Sequence, residues 1–391
     1  MKEVVIVSAA RTPIGSYLGT LSSLKGPQLG AIVIKEAIKR ANIKPEDVSE
    51  VIMGCVLPAG MGQAPARQAA IFAGLPESVT ALTINKVCGS GLKAVMLAEQ
   101  AIKCGDAEIV VAGGFESMSN VPYYLDKART GYRLGNGSVI DGMIHDGLWD
   151  VYNNFHMGSA AEMCSKEMNI TREEQDAFAE ESYKRAINAI EKGYFKEEIV
   201  PVEIKDRKGV TIVSEDEDPK KGNVEKGKTL KGAFQKDGTV TAFNSSNLND
   251  GAAAIVLMSA DKAKELGITP LAKIVAQGSF AQKPEWFTTA PAYAIKNVLK
   301  KAGLEVKDID LVEANEAFSV QACAVNKLAE LDPAKVNVHG GAVALGHPIG
   351  GSGARILTTL LYALKTKNLK RGLATLCIGG GEASALIVER T

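Results

Sequence analysis

The chain has six cysteines (Cys55, Cys88, Cys104, Cys164, Cys323, Cys377), with no C-x-x-C pair, and only four histidines. Zinc ribbons and a disulfide framework are therefore excluded. No His/Cys/Asp set has zinc-ligand spacing, and we expect neither a metal nor a redox cofactor. Charge of one sign is also missing. Lys+Arg number 45 and Asp+Glu number 45, so no global field directs the protein to nucleic acid or to a membrane surface. No apolar run approaches the roughly 20 residues of a membrane span. Phosphate-binding signatures are absent too. No G-x-G-x-x-G follows a strand, and Gly346 to Ser352 has Walker-like spacing without the lysine. The opening apolar run ends at Ser8, too short for a signal core. The ending Glu389-Arg390-Thr391 is not a peroxisomal address. A reducing, cytoplasmic location is expected from cysteine usage.

The rest is ordinary globular composition, 391 residues with 46% hydrophobic and 23% charged. That length allows two or three domains. Short apolar runs recur at 4–10, 51–57, 109–112, 252–258, 272–276, 311–314, 373–378 and 385–388, with helix-like stretches at 29–41, 92–103, 292–302 and 354–365. Buried strands alternating with helices predict an α/β fold with largely buried sheets. A repeat is visible. Cys88-Gly89-Ser90-Gly91 leads to an apolar helix, a polar link, a strand and Gly113-Gly114. Gly350-Gly351-Ser352-Gly353 leads through the same order to Gly379-Gly380-Gly381. We therefore expect two similar halves: 1–120, completed by a strand at about 250–269, and 270–391. The intervening 121–249 is richer in charge and turns. Within it Thr171 and Glu174 have capping-box spacing for a helix over 172–192. The six lysines of 219–236 against one acid, Glu225, read as a solvated loop or as a cradle for a polyanionic substrate.

Four places carry candidate chemistry. Cys88 sits among glycines in what reads as the first turn of a buried helix. Helix N–H groups there favour thiolate, the nucleophilic form. His347, locked between Gly346 and Pro348 at a strand-to-helix switch, suits a general base. Cys377 lies at a strand end before three glycines, whose N–H groups could form an oxyanion hole. Asn315 follows an apolar run, where it could hold a water or cap a helix from Glu316.

Asn85-Lys86-Val87-Cys88-Gly89-Ser90-Gly91, Asn315-Glu316-Ala317-Phe318, Gly346-His347-Pro348-Ile349-Gly350 and Cys377-Ile378-Gly379-Gly380-Gly381 resemble the four active-site blocks of the thiolases, in order. The likeness runs from Arg11-Thr12-Pro13 to the last strand, and Phe155-His156-Met157-Gly158 points to the short-chain, acetoacetyl-CoA-forming branch. The resemblance implies a five-layered αβαβα fold of two similar halves with an inserted loop domain at 121–249 that binds CoA. It also implies a dimer or homotetramer, with acyl-CoA substrates as the only partners and coenzyme A as substrate and product rather than cofactor. By the same likeness, two acetyl-CoA condense to acetoacetyl-CoA and CoA by a ping-pong route. Cys88 would be acylated and His347 would activate it. Cys377 would move the α-proton. Asn315 would hold a water that forms one oxyanion hole with His347, and the N–H groups of Cys88 and Gly379 would form another. The positions matching the CoA site are Leu148, His156, Met157, Lys220, Phe234, Ser246, Ala317 and Phe318. Lysine at 220 replaces a frequent arginine and lacks its planar fork. Three further departures stand out: Phe287-Thr288-Thr289-Ala290 beside the acyl pocket, Phe243 and Asn247 near the CoA serine, and His339. The alternatives are a broader degradative 3-ketoacyl-CoA thiolase, set by the 287–290 loop, and a non-catalytic CoA- or lipid-binding relative, which predicts loss of Cys88, His347 or Cys377.

Overall fold

A computed structural model describes residues 2–207 and 209–391. The first half runs β1 (Val4–Arg11), α1 (Gly26–Ala41), β2 (Glu50–Gly54), α2 (Pro65–Phe72), β3 (Thr80–Ile84), α3 (Ser90–Cys104) and β4 (Ile109–Ser117). Then come α4 (Met157–Met168) and α5 (Arg172–Glu191). The strand β5 (Asn249–Ser259) is followed by β6 (Ala272–Ala281), α6 (Ala290–Ala302), β7 (Leu311–Ala314), α7 (Ser319–Leu328), α8 (Ile349–Thr366), β8 (Arg371–Ile378) and β9 (Glu382–Glu389).

The strands form one sheet in the order β7-β8-β9-β6-β1-β5-β4-β2-β3, with the short strand Gly15–Ser16 beside β5. β2 runs parallel to β3 and β4, and β5 lies antiparallel between β4 and β1. The far end repeats the pattern. β7 is parallel to β8, and β9 lies antiparallel between β8 and β6. The two halves meet at a short seam where Val5 and Ile6 of β1 face Lys273 and Ala272 of β6.

Apart from the edge strand β3, each sheet half is largely buried on both faces, which is why most of its strands read as continuous apolar runs. One core cluster holds α3 and α8 together against strands of both halves. A second packs α1 and α2 on the outside of the first half, and a third packs α6 and α7 on the outside of the second. The result is five layers, αβαβα, with α3 and α8 in the middle. Their contact is backbone-close. A Cβ on Gly353 of α8 would lie 2.3 Å from the Leu92 nitrogen of α3, and one on Gly114 of β4 would lie 2.1 Å from the Gly350 oxygen. Glycine at these points lets both helix starts converge.

The apolar run 51–57 leaves the sheet after Gly54. The Val56 and Leu57 N–H groups donate instead to the buried Glu116 carboxylate at 2.9 and 3.2 Å. The predicted cap of α5 forms, with Glu174 N–H donating to Thr171 Oγ1 and Thr171 N–H to Glu174 Oε2. Two expectations need correction. Asn315 caps no helix, because α7 begins only at Ser319, after Phe318. Cys88 is not in the first turn of α3 but two residues before it, with Gly89 as the cap.

Candidate active site

The Cys88 turn is held from within. Val87 N–H donates to Asn85 Oδ1 at 2.9 Å, Lys86 N–H to Ser90 Oγ at 2.8 Å, and Ser90 Oγ–H to the Val87 carbonyl at 2.7 Å. Val87 itself takes φ 44°. A β-branched residue in the left-handed region is strained and persists only when its surroundings over-determine it. Cys88, which follows it, lines a cavity. The expected thiolate is not the resting form. Burial pushes the Cys88 thiol up to about 12, outweighing the N–H groups of Gly379 and of Cys88 itself that point at the sulfur.

His347 precedes α8, and its N–H donates to Asn249 Oδ1 at 2.9 Å. Nδ1 lies 2.6 Å from Ser352 Oγ. The single Ser352 hydroxyl proton goes to the Pro348 carbonyl at 2.9 Å, so Ser352 accepts and Nδ1 carries the ring proton. That leaves Nε2 as the basic nitrogen, 3.4 Å from Asn315 Nδ2. Burial, helped by the Arg355 charge, lowers His347 to about 3. The resting imidazole is therefore neutral. Asn315 extends from β7, its N–H on the Thr375 carbonyl at 3.0 Å. Its Oδ1 is buried without a hydrogen-bond partner among the described residues.

Cys377 is the second-last residue of β8, 1% exposed. Burial first, and then the nearness of Cys88, push its thiol well above the ordinary value. Its own N–H favours the thiolate but does not offset desolvation. Cys377 packs with Met157, Phe287, Ala317 and Phe318.

Cys88, His347 and Gly379 line one cavity of about 330 Å³. Its walls include the expected Leu148, His156, Met157, Phe234, Ser246, Ala317 and Phe318, with Phe234 edge-on to Phe318 at 6.1 Å. His156 stacks on Phe234 with centroids 4.8 Å apart, and its Nδ1 accepts the Gly158 N–H at the start of α4. Lys220 is the exception. It is exposed, outside the lining, and its ammonium pairs with Glu215. Its neighbours Lys221 and Lys228 also pair with surface carboxylates. The lysine run is therefore mostly a solvated face, and its contribution to the cavity comes from Ala233 and Phe234.

Phe287 is buried in the cavity wall, edge-on to Phe318 at 6.3 Å. Phe243 stacks on Tyr183 at 5.7 Å, and Asn247 donates to Asp218. His339 is packing. It lies against Tyr194 and Phe195 at 4.8 and 6.0 Å, and burial, helped by the Lys367 charge, lowers it to about 4. The unfolded chain takes a proton near 6.5 and the folded one only near 4. Its contribution to stability is complete above about pH 6.5 and is lost as pH falls toward 4. In His339→Phe, the fall in Tm between about pH 7 and 5 should be smaller than in the parent protein.

Sequence reasoning missed the supports. Ser352 selects the tautomer, Asn249 holds the His347 backbone, and Glu116 ties the start of α8 to the end of β2. Ser352 lay inside a quoted motif, and its i+5 spacing from His347 was an available signal. Nothing local marked Asn249, which is 98 residues away.

Residues 4–261 match the family described as Thiolase, N-terminal domain, and residues 268–390 match Thiolase, C-terminal domain. An acetyl-CoA acetyltransferase of Cupriavidus necator is 57% identical over 392 residues, covering 100% of both chains. One of Schizosaccharomyces pombe is 55% identical over 390 residues, covering 99% of each. The crystal structure of the Bacillus anthracis acetyl-CoA acetyltransferase superposes with a TM-score of 0.98 at 45% identity, over 100% of this chain and 99% of that one. With family matches across both halves and such identity over the full length, the chain belongs to the thiolase family.

Proposed function

We propose that the protein is an acetyl-CoA C-acetyltransferase, catalysing the reversible Claisen condensation of two acetyl-CoA to acetoacetyl-CoA and CoA. One observation carries the reading. Cys88, His347 and Gly379 line one largely apolar cavity, with the Gly379 N–H at the Cys88 sulfur and Cys377 buried beside it.

Both thiols and the imidazole rest neutral, so charge is made only when substrate arrives. The Cys88 proton passes to His347 Nε2 as sulfur attacks the thioester carbonyl. The oxyanion faces the N–H groups of Cys88 and Gly379. The CoA thiolate leaves and takes the Cys377 proton, which leaves Cys377 as thiolate and His347 as imidazolium. Cys377 then removes the α-proton of the second acetyl-CoA. Its enolate oxygen is held by His347 Nε2–H and by a water on Asn315, whose partnerless Oδ1 supports that role. The enolate carbon attacks acetyl-Cys88, whose sulfur departs and recovers its proton from His347. Each residue regains its starting protonation state: the Cys88 proton returns from His347, and the Cys377 proton that left with CoA is replaced by the α-proton of the second acetyl-CoA. No step needs a metal, and among the described residues no group of three His, Cys, Asp or Glu could hold one.

The same reading divides the chain at 1–120 with the 250–269 strand, 121–249 for CoA, and 270–391. It places the protein in the cytoplasm as a homotetramer acting in fatty acid metabolism. Support for self-association is the outermost strand β3, where Leu82 and nearby Phe72 are 43% and 60% exposed. No helix among the described residues is long and apolar enough to cross a membrane.

Phe287 supports the short-chain choice, since its ring fills the wall beside Cys377. Thiolysis of acetoacetyl-CoA should be far faster than that of a six-carbon 3-ketoacyl-CoA, and Phe287→Ala should narrow the gap about tenfold, as expected for a few methylenes of pocket. Equal rates in the parent protein would favour the broader thiolase instead.

A further inference from the structure

The N–H groups of Cys88 and Gly379 come from different halves of the molecule. One belongs to the turn before α3, the other to the loop after β8. Their separation, which decides how well they would hold an oxyanion, depends on contacts between the two turns. The second turn is Gly379-Gly380-Gly381, with φ 89° at Gly380 and 84° at Gly381. It has no side chains with which to anchor itself. Its ends are fixed by the Ile378–Glu382 pairing of β8 with β9 and by the Gly381 carbonyl, which accepts the Gln282 N–H at 2.9 Å.

Besides the Gly379 N–H at Cys88 and the Val87 side chain beside Gly379, two side-chain contacts among the described residues cross to the Cys88 turn. The Ile378 side chain lies over Gly89, where a Cβ would come within 2.4 Å of Ile378 Cδ1. The other is the ion pair between Lys86 Nζ and Glu382 Oε2. Lys86 stands two residues before Cys88, and Glu382 three after Gly379. The Lys86 backbone belongs to the turn itself, with its N–H on Ser90 Oγ at 2.8 Å and its carbonyl accepting the Gly89 N–H at 3.0 Å. A pull on the ammonium is therefore felt at Cys88. The two side chains are 25% and 36% exposed, and such pairs add little to stability. Neither residue lines the cavity.

We propose that the Lys86–Glu382 ion pair is a positioning device that joins the two halves at the oxyanion hole and sets the spacing of its N–H donors. This rests on the acyltransferase reading above for its role in turnover, but not for its effect on the Cys88 sulfur. Lys86 and Glu382 are positioning residues, since they touch neither substrate nor reacting atoms.

The test uses Lys86→Met, Glu382→Gln and the charge-exchanged double variant Lys86→Glu/Glu382→Lys in the full chain. It measures thiolysis of acetoacetyl-CoA, alkylation of Cys88 by iodoacetamide, and Tm. A displacement of about 1 Å at a reacting centre costs on the order of a hundredfold. We expect each single variant to lose roughly tenfold or more in kcat with KM little changed, and the exchanged pair to recover most of it. Alkylation of Cys88 should slow in the single variants, because the Gly379 N–H no longer supports the thiolate, and should recover in the exchanged pair. Single variants that retain full kcat and alkylation rate overturn the proposal. So does an exchanged pair as impaired as the singles, or a loss of activity that follows a fall in Tm. If the parent protein does not cleave acetoacetyl-CoA while alkylation still responds to the pair, the functional reading fails and the positioning role stands.

Discussion

Replacing Cys377 with alanine is expected to stop condensation and thiolysis while leaving Cys88 able to take an acetyl group. The two cysteines differ in what surrounds them. Cys88 has two N–H groups aimed at its sulfur and lines the cavity. Cys377 is buried in an apolar cluster, where only its own N–H favours the thiolate. It is therefore a poor resting nucleophile and a good holder of a proton. Its proton can go to departing CoA, and its sulfur can then take the α-proton. The first half-reaction survives without it because a thiolate leaves unaided. The second does not, and a missing acid/base costs on the order of 10²–10⁴-fold. The check is intact mass after mixing Cys377→Ala with acetyl-CoA, together with steady-state turnover. An unmodified protein would contradict the division of roles.

His347→Ala is expected to cost about 10²–10⁴-fold in both half-reactions, since one nitrogen serves both. The pH dependence of the parent protein carries more information. With His347 lowered to about 3, the imidazole stays neutral until pH falls through that value. With Cys88 raised to about 12, no thiolate forms near neutrality. The acetylation rate of Cys88, measured by rapid quench, should therefore show no step near the ordinary histidine value of about 6.5. An acid limb centred there would mean that the imidazole is solvated, and that Ser352 and Arg355 do not govern it as the structure indicates.

The repeated glycine turn, helix and strand made the two-half architecture legible, and the structure repeats that pattern except that the edge strand β3 of the first half has no counterpart in the second. Cys88, His347 and Cys377 stood out because each lies on a turn or strand end with glycine or proline nearby, and Asn315 because it follows an apolar run. Their electrostatics did not follow from the sequence. The helix start near Cys88 argued for a low thiol, but burial, a tertiary property, wins by a wide margin. β3 escaped notice because it is an edge strand with alternating exposure and carries no apolar run. α4 escaped because its residues 157–168 are mostly small or polar, and its cap is a histidine rather than Ser, Thr, Asp or Asn. Lys220 looked like a ligand on likeness alone, yet a side chain beside Glu215 pairs locally.

The central claim is that Cys88 carries the acetyl group. The most direct measurement is peptide-resolved mass spectrometry of the parent protein and Cys88→Ala after brief exposure to acetyl-CoA and acid quench. The account predicts one acetyl group on the peptide containing Cys88 and none on the variant. Acetylation confined to another residue, or equal labelling of both proteins, would contradict it.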